Sequence, residues 1–237
     1  MNHRPLLVSA HLASPLAHHP PHLDALLEWS VSIHVLHFDK QPTANGAISP
    51  WKVDRALPAP PVGVLPIYVA RKQLGPWPVA LCSAPILSPT AAETVEHIGK
   101  RIATEEAGLL AERERRVVST TNSWTKSYRL PLRVRAAALV CWFCVGNRRE
   151  ILKLLKRVNS LSKKRSVGYG RVSKWEAVEV ESDCSWFAPH ENGQVLMRVL
   201  PQGPWLPADL VGYRKDYGSC CPPYWHPERH CEVVTPC

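Results

Sequence analysis

The stretch that most constrains the fold is a strand, a helix, a glycine-containing loop and a second strand within residues 136–180. Residues 136–145 read AAALVCWFCV, an uncharged apolar run that is typical of a buried central strand. Asn147 stands three residues before Glu150, which is the spacing of a helix N-cap. Residues 171–180 form the second strand, so the unit is half of a ferredoxin-like fold. The helix between the strands has one apolar stripe, made of Ile151, Leu154, Leu155 and Val158.

The N-terminal part of the chain predicts the other half of that fold. Residues 5–12 indicate a strand, and residues 22–36 carry leucines at helical spacing. Residues 67–73 and 77–87 indicate two more strands around a short turn. We therefore expect an α+β, ferredoxin-like domain with an antiparallel sheet.

The remaining segments set the predicted domain organisation. The domain covers residues 1–182, and the arm that follows it is rich in proline, cysteine and aromatic residues and is expected to be irregular. The expected segments are a proline-rich insertion at 41–66, an acidic helix at 88–116, a strand, polar loop and strand at 116–135, and the C-terminal arm at 183–237.

Charge is unevenly distributed along the sequence. The chain has a formal net charge of +9, and residues 126–174 contain fourteen Lys or Arg against one acid, Glu150. Such a basic block is the footprint expected of a nucleic-acid-binding surface. The N-terminus lacks a signal-peptide pattern, and no apolar run reaches the ~18 residues of a membrane span. These features predict a cytoplasmic protein that does not bind membranes and whose cysteines are mostly reduced thiols.

The loop sequence KKRSVGYGRVSKW, residues 163–175, is the best candidate binding site. Its glycines permit close approach of the backbone to a partner, its cations and amides suit phosphates, and its aromatic rings suit stacked bases. The loop follows a helix and has no Lys-Ser/Thr signature, so it is neither a dinucleotide fingerprint nor a Walker loop. The candidate residues are Lys163, Lys164, Arg165, Gly168, Tyr169, Gly170, Arg171 and Trp175.

Residues 146–176 resemble the glycine-loop region of RAMP-superfamily CRISPR proteins. Three further stretches, AHLASPL at 10–16, TKSYRLPL at 125–132 and PPYWHPE at 222–228, are similar to one branch of it. That branch is the 5′-handle-binding Cas subunit of type IV CRISPR effector complexes. The related loops usually carry an earlier glycine, where this chain has Ser162.

This resemblance implies a ferredoxin-like (RRM-like) RAMP fold whose glycine loop and thumb-like segment, about 116–135, grip guide RNA. It implies a second basic contact at Lys126, Tyr128 and Arg129. The expected role is non-catalytic and needs no cofactor: the subunit caps the 5′ handle of the CRISPR RNA and helps to position target DNA. The expected partners are that RNA, target DNA, the backbone filament subunit and other effector subunits.

Two alternatives remain open at this stage. One is a metal-independent endoribonuclease that processes precursor CRISPR RNA with His11 as general base, Tyr128 and Lys126 being its expected partners. The other is a zinc-stabilised nucleic-acid-binding module. Its candidate ligands lie in the C-terminal tail and are Cys220, Cys221, His226, His230, Cys231 and Cys237. Cys141 and Cys144 have metal-like spacing, but on a strand they point to opposite faces, so we expect core thiols.

Overall fold

The computed structural model describes residues 3–34, 66–88, 93–100, 127–162 and 164–237. The proline-rich insertion predicted at 41–66 therefore lies outside the described residues, apart from Pro66. No helix in the described part of the chain combines the length and apolar character that crossing a membrane requires. The helices are α1 (Leu23–His34) and α2 (Arg148–Leu155). The strands are β1 (Arg4–Leu12), β2 (Leu16–Ala17), β3 (Arg71–Leu74), β4 (Trp77–Ala80), β5 (Ile86–Ser88), β6 (Glu93–Lys100), β7 (Tyr128–Arg135), β8 (Leu139–Gly146), β9 (Val172–Glu179), β10 (Phe187–His190), β11 (Gly193–Leu196), β12 (Leu200–Pro201), β13 (Leu210–Val211), β14 (Tyr213–Ser219) and β15 (His230–Pro236).

The largest sheet is antiparallel and has the strand order β5-β8-β1-β9. Strands β8 and β9 both run antiparallel to β1, which lies between them, and α2 connects them along the chain. This is a split βαβ unit, and α1 packs against α2. The predicted α+β class is confirmed, and the topology is compatible with the predicted ferredoxin-like fold.

The main core lies between this sheet and the two helices. Buried positions on its sheet face alternate with partly buried ones along β1 and β8, as a strand requires, and they include Val8 and Trp142, both 0% exposed. The predicted stripe of α2 is buried as expected, and the Asn147 side chain accepts a hydrogen bond from the Glu150 amide at 3.2 Å. Cys144 is buried in the core and Cys141 is half-buried, so the expectation of a core thiol is confirmed for Cys144 but not for Cys141.

A second sheet, of order β2-β7-β6, contradicts the helix predicted over 88–116. Residues Glu93–Lys100 form a strand that pairs with β7 along its whole length, and the remainder of that segment, from residue 101, lies outside the described residues. The β-branched residues Thr94, Val95 and Ile98 favour a strand, and pairing with β7 gives the backbone its hydrogen bonds. The acidic composition of this segment is typical of a helix, and composition contains no information about pairing with a strand that is distant in sequence.

The C-terminal arm predicted to be irregular is instead rich in strands. Residues 183–237 form two three-stranded sheets, with orders β10-β11-β13 and β12-β15-β14. They enclose a second apolar core, in which Trp186, Leu200 and Val234 pack with Leu74 and Val79 of the β3–β4 hairpin. The abundance of proline and glycine favours irregular structure, but several of these residues, such as Pro189, Pro201 and Gly218, lie within the short strands themselves.

A fully buried charge network joins this C-terminal part to α1. Arg198 is 0% exposed and donates hydrogen bonds to the Ala80 carbonyl at 2.9 Å, the Cys220 carbonyl at 3.0 Å and the Tyr224 hydroxyl at 2.8 Å. Its Nη2 lies 3.3 Å from Oδ2 of Asp24, which also accepts a hydrogen bond from Tyr224. Burial disfavours ionisation of Asp24, but the charge of Arg198 and the Tyr224 hydroxyl outweigh it and lower the Asp24 pKa. The carboxylate is therefore held in its charged form inside the protein.

Candidate nucleic-acid interface

The glycine loop, residues 162–171, connects α2 to β9 as the sequence predicts. It contains a 3₁₀ turn at Arg165–Val167 and two glycines with positive φ, Gly168 at 95° and Gly170 at 67°. Left-handed backbone of this kind is costly for other residues, which explains the glycines at these two positions. Lys163, one of the predicted cations, lies outside the described residues.

Residues 13–17 hold the loop in place from the end of β1, and we call them the clasp. The Ser14 hydroxyl donates a hydrogen bond to the Gly168 carbonyl at 2.6 Å and accepts one from the Arg171 amide at 2.8 Å. The Pro15 carbonyl accepts a hydrogen bond from the Gly170 amide at 2.7 Å. The AHLASPL stretch is thus explained as the structural partner of the glycine loop.

Ser162 completes this attachment at the position where related loops have a glycine. Its hydroxyl is buried, donates to the Ala17 carbonyl at 2.8 Å and accepts from the Ala17 amide at 3.2 Å. Ser162 is not among the described residues with positive φ, so its backbone needs no glycine. A Cβ on Gly170 would lie 2.5 Å from the Cβ of Ser162, so the side chain at 162 is compatible only with glycine at 170.

The loop amides do not take the role that the sequence suggested. The amides of residues 167–171 donate, in order, to the carbonyls of Lys164, Arg165, Lys164 and Pro15 and to the Ser14 hydroxyl. The expectation that these amides hold phosphates is therefore wrong, because the fold itself already uses them. Only side chains remain in this part of the loop to bind a phosphate.

The outer side of the loop borders an open groove of about 690 Å³. Arg165 and Arg171 both line it, and no described lining residue is acidic. The Arg165 guanidinium also lies over the Trp29 ring of α1, 5.8 Å from its centroid, which restricts its position. The other lining residues are Asn159, Ser160, Ser166, Gly168, Tyr169 and Val172. The structure thus brings two of the predicted cations together on one concave surface, while Lys164 is half-buried beside them.

The two aromatic residues predicted to stack bases both have structural partners. The Tyr169 hydroxyl donates a hydrogen bond to Glu96 of β6, which raises the Tyr169 pKa, and the ring packs near Leu132. The Trp175 indole donates to the Val158 carbonyl at 2.8 Å and stacks on Trp142 with centroids 5.9 Å apart. Their roles in base stacking stay predictions, but both rings now have a packing role that the sequence did not reveal.

The second predicted contact lies where β6 ends and β7 begins. Tyr128 and Arg129 line a groove of about 670 Å³ together with His97 and Lys100. Tyr128 is 40% exposed. Lys126 lies outside the described residues. Because Tyr169 bonds to Glu96, the glycine loop and the paired strands β6 and β7 are directly connected.

His11 lies on the sheet face of β1 and contacts β9. Its Nε2 is 2.8 Å from Oε2 of Glu176, whose other carboxylate oxygen accepts a hydrogen bond from Lys174. The hydrogen bonds from Lys174 and His11 hold the Glu176 pKa below its ordinary value. The side-chain contact that the structure gives His11 is therefore a hydrogen bond between neighbouring strands.

The proposed zinc ligands of the tail do not form a metal site. Cys220 and Cys221 are completely buried, and the His226 ring accepts a hydrogen bond from the Glu228 amide at 3.3 Å, as the cap of a short 3₁₀ turn. Among all described residues, which include the six candidates, no three His, Cys, Asp or Glu side chains are arranged to hold a metal ion. Zinc binding by the tail therefore stays a hypothesis that this geometry does not support. The PPYWHPE stretch instead supplies Tyr224 to the buried network and His226 to this cap.

Comparison with known proteins agrees with the resemblance seen in the sequence. No curated protein matches the chain. A protein-family model described as CRISPR type IV associated protein Csf3 matches residues 88–236, which is more than half of the chain. The matched span includes β6 and β7, the whole glycine loop and the strand-rich C-terminal part. The chain therefore belongs to the family of CRISPR type IV associated protein Csf3.

Proposed function

We propose that this protein is a non-catalytic RNA-binding subunit of a type IV CRISPR effector complex, and that it binds the 5′ handle of the guide RNA. The observation that carries the proposal is the groove beside the glycine loop, where Arg165 and Arg171 meet and no described lining residue is acidic. Membership of a type IV CRISPR-associated family supplies the biological context.

Binding at this groove would depend on side chains held by a rigid loop. The clasp fixes the loop backbone through Ser14 and Pro15, so the two arginines reach an RNA backbone with little further ordering. Guanidinium groups form paired hydrogen bonds to phosphate oxygens, which makes arginine well suited to this contact. The groove at Tyr128 and Arg129 would hold a second part of the same RNA, and base-edge contacts would supply handle specificity.

In the assembled complex the subunit would cap one end of the backbone filament and help to position target DNA in the cytoplasm. Its membership of a type IV CRISPR-associated family supports a role in a complex with other Cas subunits.

The RNA-binding proposal is tested with the double variant Arg165→Ala/Arg171→Ala. We expect its affinity for a single-stranded handle RNA to fall about tenfold, and the slope of log affinity against log salt to become shallower by about 1.4, because two phosphate contacts are lost. Fluorescence anisotropy at several salt concentrations measures both quantities, with an unrelated RNA of equal length as comparison.

The matched control is Lys72→Ala/Lys215→Ala, which removes two exposed cations that do not line the groove. This control lowers the net charge by the same amount as Arg165→Ala/Arg171→Ala. If the groove binds RNA, the loss of RNA affinity in the arginine variant must therefore exceed the loss in the control. Equal affinity and equal salt slope for the two double variants would show that the groove does not bind RNA.

Absence of catalysis is the second part of the proposal, and it is supported by the placement of His11 on β1 beside Glu176, whereas its expected partner Tyr128 lies on β7 in another sheet. The purified protein is expected to leave a repeat RNA uncut over hours without added metal. Cleavage by the wild type that disappears in His11→Ala would instead favour the endoribonuclease alternative. Gel analysis of end-labelled RNA distinguishes the two results.

A further inference from the structure

A small cavity separate from the groove lies where β2, β6 and β7 meet. Its volume is about 210 Å³, and the described residues that line it are five charged or titratable side chains. They are His18, His19, Glu93, Arg133 and Arg135. None of the five belongs to the residues that the proposed RNA contacts use.

The two arginines are organised by one carboxylate. Arg135 donates to Oε2 of Glu93 from Nε at 2.9 Å and from Nη2 at 2.7 Å, and Nε of Arg133 lies 3.6 Å from the other oxygen. The hydrogen bond from Arg135 is the main reason why the Glu93 pKa lies below its ordinary value. A guanidinium has five N–H donors, so Arg135 still has three beyond the two that Glu93 accepts. Two arginines against one carboxylate leave the cavity positively charged before either histidine is counted.

The histidines reach the cavity through an unusual backbone conformation. His18 has φ of 69°, one of only two described non-glycine residues with positive φ, and its amide donates to the Arg133 carbonyl at 3.2 Å. A positive φ is costly for a residue with a side chain. At His18 it occurs in the turn after β2 that places the His18 and His19 rings beside Arg133 and Arg135. An imidazole offers an N–H donor even when it is neutral.

We propose that this cavity binds a phosphate group. The lining offers N–H donors from four side chains and a net positive charge, which is the chemistry that recognises a tetrahedral oxyanion. A divalent cation is disfavoured, because two guanidiniums would repel it. The volume also limits the occupant to a small group, because about 210 Å³ corresponds to roughly seven water molecules at about 30 Å³ each in the liquid.

The phosphate has three possible sources, which share this chemistry: the backbone of a nucleic acid, a terminal phosphate, or free phosphate. The site itself does not rest on the proposed function. It is nevertheless connected to the glycine loop, because Ala17, which precedes His18, is hydrogen bonded to Ser162. An RNA strand bound at the groove would then have a second anion-binding site at His18 and His19, which directly follow β2.

The test uses the full-length protein and phosphorus NMR titration with inorganic phosphate, followed by anisotropy with one oligonucleotide carrying either a 5′-phosphate or a 5′-hydroxyl. The variants are Arg133→Gln/Arg135→Gln and, as a milder change, His18→Asn/His19→Gln, since asparagine tolerates positive φ. The control is Lys72→Gln/Lys215→Gln. We expect the wild type and control to bind inorganic phosphate and the arginine variant to bind it at least tenfold more weakly, with a smaller loss for the histidine variant.

The oligonucleotide arms identify the source. Equal weakening for both oligonucleotides supports a backbone phosphate, weakening only for the phosphorylated one supports a terminal phosphate, and weakening only for inorganic phosphate supports the free ion. The proposal is overturned if the wild type does not bind phosphate, or if both cavity variants bind it like the control. Arg165→Ala/Arg171→Ala leaves this cavity intact. If that variant loses RNA binding but still binds inorganic phosphate, the groove and the cavity are shown to be separate sites, so each proposal can fail without the other.

Discussion

Replacing Arg198 by Met is expected to lower the free energy of unfolding by about 3–5 kcal/mol. The change removes one partner of a completely buried ion pair and leaves the Asp24 carboxylate inside the protein without its cation. It also removes the Arg198 donor to the Cys220 carbonyl, whereas the Ala80 carbonyl still accepts from the Trp186 indole. Denaturant unfolding followed by tryptophan fluorescence measures the effect.

The matched control is Arg4→Met, which removes an arginine from an exposed ion pair with Glu179, where the side chains are 56% and 50% exposed. Exposed pairs contribute little, so this variant should lose less than about 1 kcal/mol. Adding Asp24→Asn to Arg198→Met should restore part of the stability, because no unpaired charge is then buried. Equal losses in Arg198→Met and Arg4→Met would show that the network does not stabilise the fold.

This network marks the limit of what the sequence alone could predict. Local patterns identified β8, α2 and the Asn147 cap, because hydrophobic period and capping act within a few residues. Asp24 and Arg198 are 174 positions apart, and neither has a local feature that distinguishes it from a surface charge. Only the fold shows that the C-terminal part is fastened to α1 by a buried charge.

The same reasoning explains the error at 93–100 and the partial success at the glycine loop. Strand β6 depends on its pairing with β7, across a gap in sequence that composition cannot reveal. The loop was located correctly from its glycines and cations. Its amides were misassigned because their acceptors include Ser14 and Pro15, about 150 residues away. Features that depend on neighbouring residues can therefore be predicted from the sequence, whereas hydrogen bonds between segments that are distant in sequence become visible only in the structure.

The largest effect at the site itself is expected from Gly170→Ala, with a loss of about 3–5 kcal/mol in unfolding free energy. Positive φ costs a residue with a Cβ about 1–3 kcal/mol, and forced overpacking costs a further ~1–3 kcal/mol. Both apply at Gly170, where the added Cβ would lie 2.5 Å from the Ser162 Cβ and 2.7 Å from the Ser162 amide nitrogen. Thermal or denaturant unfolding provides the measurement.

Gly168→Ala is the matched control, because Gly168 also has positive φ but no atom lies within 4 Å of its added Cβ. Only the backbone cost applies there, about 1–2 kcal/mol. If the clasp presents the arginines to RNA, Gly170→Ala should also weaken RNA binding under conditions where the variant is still folded. Ser162→Gly combined with Gly170→Ala should lose less stability than the sum of the two single losses, since one of the two clashing atoms is then absent. Equal destabilisation by the two glycine substitutions, with no coupling to position 162, would mean that the clasp does not hold the loop as the contacts indicate.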